Sequence, residues 1–406
     1  MTGLGMSFEL CTLADIAAPV RNAIVGGPFG SNLGSKDYVA SGVPVIRGQN
    51  MGGKWVSGDF AFVSNDKAAQ LSQNLARSND LVFTQRGTLG QVSIVPRASY
   101  GVYVVSQSQM KITVDPAKAD VCFLYYLFKT PEQLQYIFNS AIQTGVPHTN
   151  LGILKATPLK LPPLSVQKAI ATAVSALDDR IALLRETNAT LEAIAQALFK
   201  SWFVDFDPVR AKQQGLLPTG MDEATAALFP GRFEASASAL IPKGWRATTL
   251  AEAFEINPHR MLKKGGIGPY LDMASLATSG HCVEPPIQRE FGSGTKFQNG
   301  DALLARITPC LENGKSAFVD FLAENQIGWG STEFIVLRPK APLPEYLGYL
   351  LCRHPPFREH AIHSMSGTSG RQRVQNDVLG RYSLAVPDDA VTAAFSDLVA
   401  PMQKAI

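Results

Sequence analysis

The feature that most constrains this 406-residue chain is a seven-residue hydrophobic period running through residues 165–202. It follows residues 161–164, where two prolines favour extended backbone, so Ser165 is the predicted N-cap. The period predicts one helix of about 35 residues with apolar a and d positions along a single seam. The seam positions are Ile170, Val174, Leu177, Ile181, Leu184, Asn188, Leu191, Ala195 and Leu198.

A seam of this length favours a strut that pairs with another helix over an ordinary amphipathic helix packed on one domain. Asn188 is polar at a seam position, and such a residue typically fixes the register of the pair. Pro208 is expected to end the helix, and the aromatic residues that precede it need a cover. Residues 213–242 are rich in Gly, Pro, Ala and Ser, which predicts a linker with a short helix around residues 222–228.

The blocks on the two sides of this helix resemble each other. Residues 79–95 and 299–319 each read as a strand, a turn containing Arg–x–Thr, and a second strand. The offset is 220 from Arg86 to Arg306 and 225 from Pro162 to Pro387. This duplication predicts two mixed α/β domains, each followed by a helix, because the repeat is too long for a solenoid.

The duplication and the linker together predict the domain organisation. We expect the helix of the second repeat to be short, since only residues 388–406 are available for it. The predicted segments are a first domain (residues 1–160), a central helix (161–212), a linker (213–242), a second domain (243–387) and the start of a distal helix (388–406).

Charge is distributed along the same divisions. The net charge is +3, made of +4 in residues 1–160, −2 in 161–240, +3 in 241–387 and −2 in 388–406. This pattern is compatible with chance variation on solvated surfaces and equally with two domains that face a polyanion.

Cysteine use and hydropathy set the expected compartment. The five cysteines form no CxxC pair, which argues against a zinc cluster or a disulfide framework and fits a reducing cytosol. No apolar run reaches the length of a membrane span, and residues 1–10 lack the pattern of a secretory signal. We therefore expect a cytoplasmic protein without a membrane partner.

The sequence offers weak matches to catalytic motifs, and each lacks an essential residue. The segment from His354 to Phe357 has His where an amino-methyltransferase turn needs Asn, Asp or Ser. Gly314-Lys315-Ser316 ends like a P-loop, but Pro309 stands where that loop needs a glycine. The histidines lack the HExxH spacing of a zinc site. We expect no catalytic residue and no metal ligand in this chain.

Several longer stretches are specific enough to suggest a family. They are residues 27–33 (GPFGSNL), 42–50 (GVPVIRGQN), 86–90 (RGTLG), 161–179, 191–210 (ending in FKSWFVDFDPVR), 304–315 and 367–373 (GTSGRQR). Together they resemble the specificity (S) subunits of type I restriction–modification systems, and the resemblance covers nearly the whole chain. The central stretch is the most specific part, whereas the glycine-rich fragments alone would be weak.

The resemblance implies an α+β protein with a pseudo-twofold internal repeat. Two target-recognition domains would be separated by long antiparallel coiled-coil helices, and each would read half of a bipartite, asymmetric site on double-stranded DNA. The short distal helix departs from the family pattern, which bears on the full-length spacer and on the docking of one methyltransferase subunit.

The resemblance also implies partners. The S subunit itself would be non-catalytic and hold no cofactor. Two methyltransferase (M) subunits would methylate adenine with S-adenosylmethionine, and restriction (R) subunits would use ATP and Mg²⁺ to translocate and cleave foreign DNA in a bacterial or archaeal cytoplasm. The alternatives are a specificity subunit of a type IIB-like system and a two-domain protein-binding scaffold without nucleic acid.

A DNA reader needs donors on exposed turns, for phosphates and for base edges. Arg can pair with guanine, and Gln or Asn with adenine. For Arg86 and Arg306, the alternative is that the Arg–x–Thr turns are structural and that the guanidinium satisfies carbonyl groups. The candidates are Arg47, Gln49, Asn50, Gln85, Arg86, Thr88, Gln107 and Gln109 in the first domain, and Arg306, Thr308, Lys315, Thr332, Arg371, Gln372 and Arg373 in the second.

Overall fold

A computed structural model describes residues 8–97, 100–143, 145–236, 239–368 and 370–406. Residues 1–7 of the N-terminal segment and Ser369 of the stretch 367–373 lie outside the described residues. The chain divides into two compact units, Met1–Ile181 and Ala182–Ile406. This division falls inside the central helix, and the domain limits given above stay predictions.

Unit 1 is a mixed unit of short strands and helices. Its strands are β1 (Glu9–Thr12), β2 (Ile24–Gly26), β3 (Tyr38–Val39), β4 (Val43–Ile46), β5 (Ala61–Val63), β6 (Leu75–Ala76), β7 (Leu81–Thr84), β8 (Val92–Ile94), β9 (Tyr103–Val105), β10 (Gln109–Ile112) and β11 (Pro158–Leu161). Its helices are α1 (Asn65–Gln70), α2 (Val121–Leu127), α3 (Pro131–Ser140), α4 (Leu151–Lys155) and the first part of α5 (Leu164–Lys200). Short 3-10 turns cover Leu13–Ile16, Gly30–Asn32, Ser35–Asp37, Gly48–Asn50 and Ser72–Asn74.

Two sheets form the body of unit 1. One is four-stranded, in the order β2-β10-β7-β8, and the other is five-stranded, in the order β3-β5-β4-β9-β6 with β4 parallel to β9. Strand β7 is apolar at successive positions because both of its faces are covered. Leu81 and Phe83 pack beneath α2, whereas Val82 packs toward Ile46 of the second sheet. Strands β1 and β11 form a separate antiparallel pair.

Unit 2 follows the same plan. Its strands are β12 (Phe233–Ala235), β13 (Leu240–Pro242), β14 (Arg246–Thr249), β15 (Phe254–Ile256), β16 (Ile267–Leu271), β17 (Ile287–Glu290), β18 (Thr295–Phe297), β19 (Ala302–Ala305), β20 (Ser316–Phe318), β21 (Gly328–Gly330), β22 (Phe334–Pro339) and β23 (Ser383–Val386). Besides the end of α5 it contains α6 (Asp207–Gln213), α7 (Glu223–Ala227), α8 (Leu250–Ala253), α9 (Tyr346–Arg353), α10 (Pro355–His363), α11 (Asn376–Gly380) and α12 (Asp389–Ala405).

The sheet orders confirm the internal duplication. The order β15-β22-β19-β20 repeats β2-β10-β7-β8, and the pair β14-β23 repeats β1-β11. Register is kept as well, since Phe83 faces Met110 in unit 1 and Leu304 faces Ile335 in unit 2. In the second sheet, the parallel pair β16-β21 repeats β4-β9. The repeated pattern of buried strands therefore encodes the same architecture twice.

The long helix is continuous from Leu164 to Lys200 and is followed by a π-helical turn, Ser201–Asp205. Its start differs from the prediction, because Ser165 lies inside the first turn and the Pro163 carbonyl accepts from Val166 (2.8 Å). The buried Gln167 fixes this start by accepting from the backbone N–H of Asp120 (3.0 Å) and donating to the Pro162 carbonyl (2.9 Å).

The end of the long helix also differs in one detail. Phe206 takes a left-handed conformation (φ 57°) and ends the π-turn, so Pro208 lies in the first turn of α6 and is not the residue that stops the long helix. The aromatic residues of this segment are covered as expected, with Trp202 and Phe203 both against Phe395. The short helix predicted in the linker is confirmed as α7, which Asp222 caps.

Helix α12 lies antiparallel to the second half of α5 within unit 2. Phe395, near the start of α12, contacts Phe203 with ring centroids 4.8 Å apart, and the Asn188 amide donates to the carbonyl of Ile406 (3.0 Å). Ala195 and Val399 are buried in the same core. Within the described residues, we find no helix that is both long and apolar enough to cross a membrane.

Candidate nucleic-acid interface

Two loops meet at one edge of unit 1. The first, residues 85–91, connects β7 to β8, and the second, residues 142–149, leads into α4. Arg86 and His148 form an isolated antiparallel bridge, and the Gln85 carbonyl accepts from the N–H of Thr149 (2.9 Å). We call these two segments the unit 1 loop pair.

The same arrangement recurs in unit 2. Residues 306–315, between β19 and β20, meet residues 366–375, which lead into α11. Ile307 bridges Arg373, and Thr308 exchanges hydrogen bonds with Gln372 through its N–H (3.1 Å) and its hydroxyl (3.1 Å). These segments are the unit 2 loop pair. The fold thus brings together candidates that lie more than 60 residues apart in the sequence, since Thr308 and Gln372 are 64 residues apart.

The arginines of the unit 2 loop pair are largely engaged inside the protein. Arg306 donates to the carbonyl of Val374 (2.8 Å), which is the structural role considered for it above. Arg373 forms a bidentate ion pair with Glu333 (Nη2 to Oε1 2.6 Å), and this bond lowers the pKa of the Glu333 carboxyl. Arg371 is exposed, and its side chain has no hydrogen bond or ion pair with a described residue. It is therefore the available cation of this loop pair.

The unit 1 loop pair is less constrained. Arg86 and Thr88 are exposed, and neither side chain bonds to any residue that the structure describes. Gln85 is half-buried beside Gly26, with its Oε1 atom 3.6 Å from where a Cβ would stand on that glycine. Arg86 can therefore offer its whole guanidinium to a ligand.

The other candidates of unit 1 are used mainly to shape loops. The buried Asn50 donates to the carbonyls of Ser57 (3.1 Å) and Asp59 (3.0 Å), and the buried Gln109 accepts from Ser106. The exposed Gln107 donates to the carbonyls of Gly30 and Leu33 (2.6 and 2.8 Å). If the side-chain amide of Asn50, Gln107 or Gln109 is to contact a base, these internal hydrogen bonds must first break. Gln49 is exposed and donates to Asp59, and Arg47 is half-buried.

Two further candidates of unit 2 differ in position. Lys315 ends the first loop of the pair but is bonded inside the protein, and Thr332 lies outside the pair. Lys315 donates to the Met273 carbonyl (2.6 Å), so its ammonium is held by the sheet below. Thr332 is exposed beside Glu333, whose backbone carbonyl accepts from the backbone N–H of Arg306 (3.0 Å). The DNA contacts of all the candidates stay predictions.

Sequence reasoning missed the second loop of unit 1, which contributes Gln143 and His148. The signal was present, because Gly145 aligns with Gly367 and the residues after Gly367 were chosen as candidates. Extending that alignment would have selected residues 142–149. Sequence reasoning also missed Arg289 of β17. The available signal is the Gly328-Trp329-Gly330 pattern of β21, which lies two strands away in the same sheet.

The seam of α5 has two different surroundings. Ala195 is buried and Asn188, Leu191 and Leu198 are half-buried in unit 2. In unit 1, Val174 is half-buried, whereas Ile170 and Ile181 are exposed and Leu177 is 65% exposed. Leu184, just past the boundary, is exposed as well.

Each unit holds α5 through a tyrosine hydroxyl. In unit 1, Tyr126 donates to Asp178 (2.8 Å), and burial raises the pKa of Tyr126 to about 12. In unit 2, Tyr349 donates to the buried carboxylate of Glu192, and burial raises the pKa of Tyr349 as well. Among the described residues no group of three or more His, Cys, Asp or Glu could hold a metal ion.

Part of the chain matches a known family. Residues 32–193 match the family described as "Type I restriction modification DNA specificity domain". The HindI specificity subunit of a type I restriction enzyme from Haemophilus influenzae is 41% identical over 116 residues, which cover 28% of this chain and 25% of that protein. The MjaIX specificity subunit from Methanocaldococcus jannaschii is 24% identical over 225 residues, covering 54% and 47%.

The matched regions thus span a quarter to about half of these relatives. A crystal structure of the S subunit of a type I restriction–modification system from M. genitalium has the same fold. Its TM-score is 0.57 at 15% sequence identity, and the match covers 100% of this chain and 91% of that one. At this identity the likeness concerns the fold alone.

Proposed function

We propose that this chain is a type I specificity subunit, because residues 32–193 match the type I restriction modification DNA specificity domain family and the chain resembles specificity subunits in its sequence and fold. It would recognise a bipartite, asymmetric DNA site and direct M subunits to methylate adenine there. R subunits would join the same complex for cleavage. The chain itself would supply recognition and no catalytic group.

The observation that carries this proposal is the loop pair, which occurs at the same place in both units with different side chains. Unit 1 presents Arg86 and Thr88, and unit 2 presents Arg371 and Thr308. Polar and basic residues on paired loops are suited to phosphates and base edges. Because the two loop pairs differ in sequence, the two half-sites should differ as well.

The proposed partners would carry the chemistry. S-adenosylmethionine would bind to M subunits, and ATP and Mg²⁺ would serve the R subunits. The exposed apolar side chains of α5 in unit 1, Ile170, Leu177 and Ile181, offer a helix face that an M subunit can cover. Such a complex would act in the cytoplasm of a bacterium or archaeon.

The decisive experiment is modification-sensitive sequencing of DNA from cells that express this chain with an M subunit. We expect methyladenine in both halves of a split motif with a fixed gap, and we expect the motif to disappear in cells lacking this chain. A motif that is unchanged without the chain would overturn the proposal. If the system cleaves DNA without a translocating partner, the type IIB-like alternative becomes the better description of the system.

DNA binding in vitro separates the proposal from the protein-scaffold alternative. The complex with M subunits is titrated onto a duplex at several salt concentrations. A DNA reader loses affinity steeply as salt rises, because bound phosphates release counterions. A complex that assembles but binds no duplex at any salt concentration would favour the scaffold.

A further inference from the structure

The outer face of the second sheet in unit 2 carries an arginine stacked on aromatic rings. The Arg289 guanidinium carbon lies 4.7 Å from the ring centroid of Tyr270 and 5.8 Å from that of Trp329. The two rings are 4.5 Å apart, and the indole N–H of Trp329 donates to the Arg289 carbonyl (3.3 Å). These contacts hold an exposed cation in a fixed orientation.

Trp329 must lie on this face because the opposite side of its strand has no room. A Cβ on Gly328 would lie 2.3 Å from the Phe297 ring, and one on Gly330 would lie 2.4 Å from the Leu271 carbonyl oxygen. Glycine on both sides of Trp329 therefore packs β21 tightly on the core and leaves the indole as its outward side chain.

The corresponding face of unit 1 is closed. There Val45, Val63 and Val104 are buried beneath α1, whose Ala68 packs on them together with Leu71. Helix α1 lies in the connection formed by residues 64–74, between β5 and β6. The equivalent connection of unit 2, between β17 and β18, is only residues 291–294, so no helix covers the face. Instead Phe291 of this connection packs on Trp329 (ring centroids 5.3 Å apart), which is only 4% exposed, and Arg289 remains exposed above it.

A groove of about 390 Å³ lies on this face of unit 2. Its lining includes Arg289, Ser293, Ser331 and Thr332. The Arg289 side chain has no hydrogen bond or ion pair with any described residue. Glu290 also borders the groove, but its Oε1 atom lies beside Gly265, 3.7 Å from where a Cβ would stand.

We propose that this groove binds a backbone phosphate of the DNA, with Arg289 as the main donor. The inference rests on the proposed function. An unpaired guanidinium with hydroxyl groups around it matches the two-oxygen geometry of a phosphate. The groove adjoins the unit 2 loop pair in sequence and structure, because Thr332 precedes Glu333, the partner of Arg373. The contact positions the duplex for that loop pair.

The experiment compares affinities of the assembled complex with M subunits for its cognate duplex and for a scrambled duplex. Arg289→Ala should weaken binding to both by about the same factor, and should reduce the slope of log K against log salt by about one. Arg289→Lys keeps the charge and should keep the slope. Arg232→Ala, which removes an exposed arginine elsewhere in unit 2, is the control and should change neither.

Modified DNA identifies the contacted atoms. Single neutral methylphosphonates are placed along the half-site that unit 2 reads, in wild type and in Arg289→Ala. One position should weaken wild type but have no further effect on the variant, since the two changes remove the same contact. If 7-deazaguanine gives this pattern instead, Arg289 reads a base and the phosphate assignment is wrong.

The remaining outcomes also decide the question. Unchanged affinity and slope in Arg289→Ala would overturn the phosphate site while leaving the proposed function intact. A wild-type complex that binds no DNA would overturn both. A melting temperature shared by wild type and Arg289→Ala guards against loss of folding as the cause.

Discussion

Unit 1 and unit 2 share their strand order and register but differ in what their sheets expose. Valines under α1 in unit 1 correspond to an exposed Arg289 on Tyr270 and Trp329 in unit 2. The shared part is built from strands that are buried on both faces, where a change of register would expose apolar side chains. The part that varies is the cover of the second sheet, which depends on the length of the connection between β5 and β6 in unit 1 and between β17 and β18 in unit 2. Duplication therefore preserved the framework, while a shorter loop created a new surface.

The two loop pairs also differ in how their arginine side chains are bonded. The 220-residue offset predicts that Arg86 and Arg306 correspond, but the structure places Arg306 at the position of Gln85, because the Gln85 carbonyl accepts from Thr149 as the Arg306 carbonyl accepts from Val374. Arg86 is unpaired among the described residues, whereas the Arg306 side chain supports the Val374 carbonyl. A shift of one position within the turn therefore decides whether the arginine is part of the loop structure.

The largest effect should come from the shared framework. Phe83→Ala in unit 1 should cost about 3–5 kcal/mol of unfolding free energy, and its counterpart Leu304→Ala in unit 2 about 2–5 kcal/mol, because both leave cavities in buried strands. Denaturant unfolding gives the magnitudes. Hydrogen exchange should show that protection falls mainly within the mutated unit, and an equal loss in both would contradict two separate cores.

Next comes the tyrosine that holds α5 in each unit. Tyr349→Phe should destabilise the protein by about 1–3 kcal/mol, because the buried Glu192 carboxylate loses a donor. Tyr126→Phe should cost less than about 1 kcal/mol, because water reaches the half-buried Asp178. Urea midpoints of the two variants test this difference. Equal losses would mean that burial does not distinguish the two anchors.

A pH effect is expected from unit 2 alone. His281 lies where unit 1 has Lys54, because the His281 carbonyl accepts from Phe318 as the Lys54 carbonyl accepts from Ile94. The His281 ring contacts Asp320 and Tyr346. Burial lowers the pKa of His281, but hydrogen bonds to Asp320 and Cys282 outweigh it and raise the pKa to about 9.

Because the folded-state pKa is raised, protonated His281 stabilises fully below its ordinary pKa of about 6.5, and this stability is lost as pH rises through about 9. We expect a loss of about 1–2 kcal/mol across this window in denaturant unfolding. His281→Val, which removes the titrating ring, should flatten the profile. A profile that keeps its slope in this variant would assign the effect to another group.

The smallest effect should separate the arginines of the two Arg–x–Thr turns. Arg306→Ala should lower stability by about 1 kcal/mol, because the Val374 carbonyl loses its donor. Arg86→Ala should leave stability unchanged within about 0.5 kcal/mol and weaken DNA binding. Thermal melts and DNA titrations of both variants measure the contrast. Weakened DNA binding in neither variant would argue against the unit 1 loop pair as a contact surface.

Much of the fold could be predicted because its signals are local or periodic. The seven-residue period gave the helix from Leu164 to Lys200, and the strand–turn–strand match gave the duplication. The N-cap was misplaced at Ser165 because the Pro163 carbonyl already accepts the first helical N–H groups. Single helix ends depend on such competing acceptors, which periodicity does not report.

The candidate site could be predicted only in part. Arg86 and Arg371 were chosen as polar residues on turns, and the structure leaves both exposed. Asn50, Gln109 and Arg373 fit the same rule, yet their partners inside the fold occupy them. Residue type gives the capacity to donate a hydrogen bond, but only the neighbours in space decide whether that capacity is free.

The sequence by itself determined the long helix, the twofold repeat and the set of polar turns, because each depends on residue type and spacing along the chain. Only the tertiary structure decided which polar groups reach solvent. Arg289 stacks on Tyr270 and Trp329 because parallel pairing of β16 with β21 places two rings side by side from distant segments. The surface that results depends on strand pairing and on the missing cover, which are non-local properties.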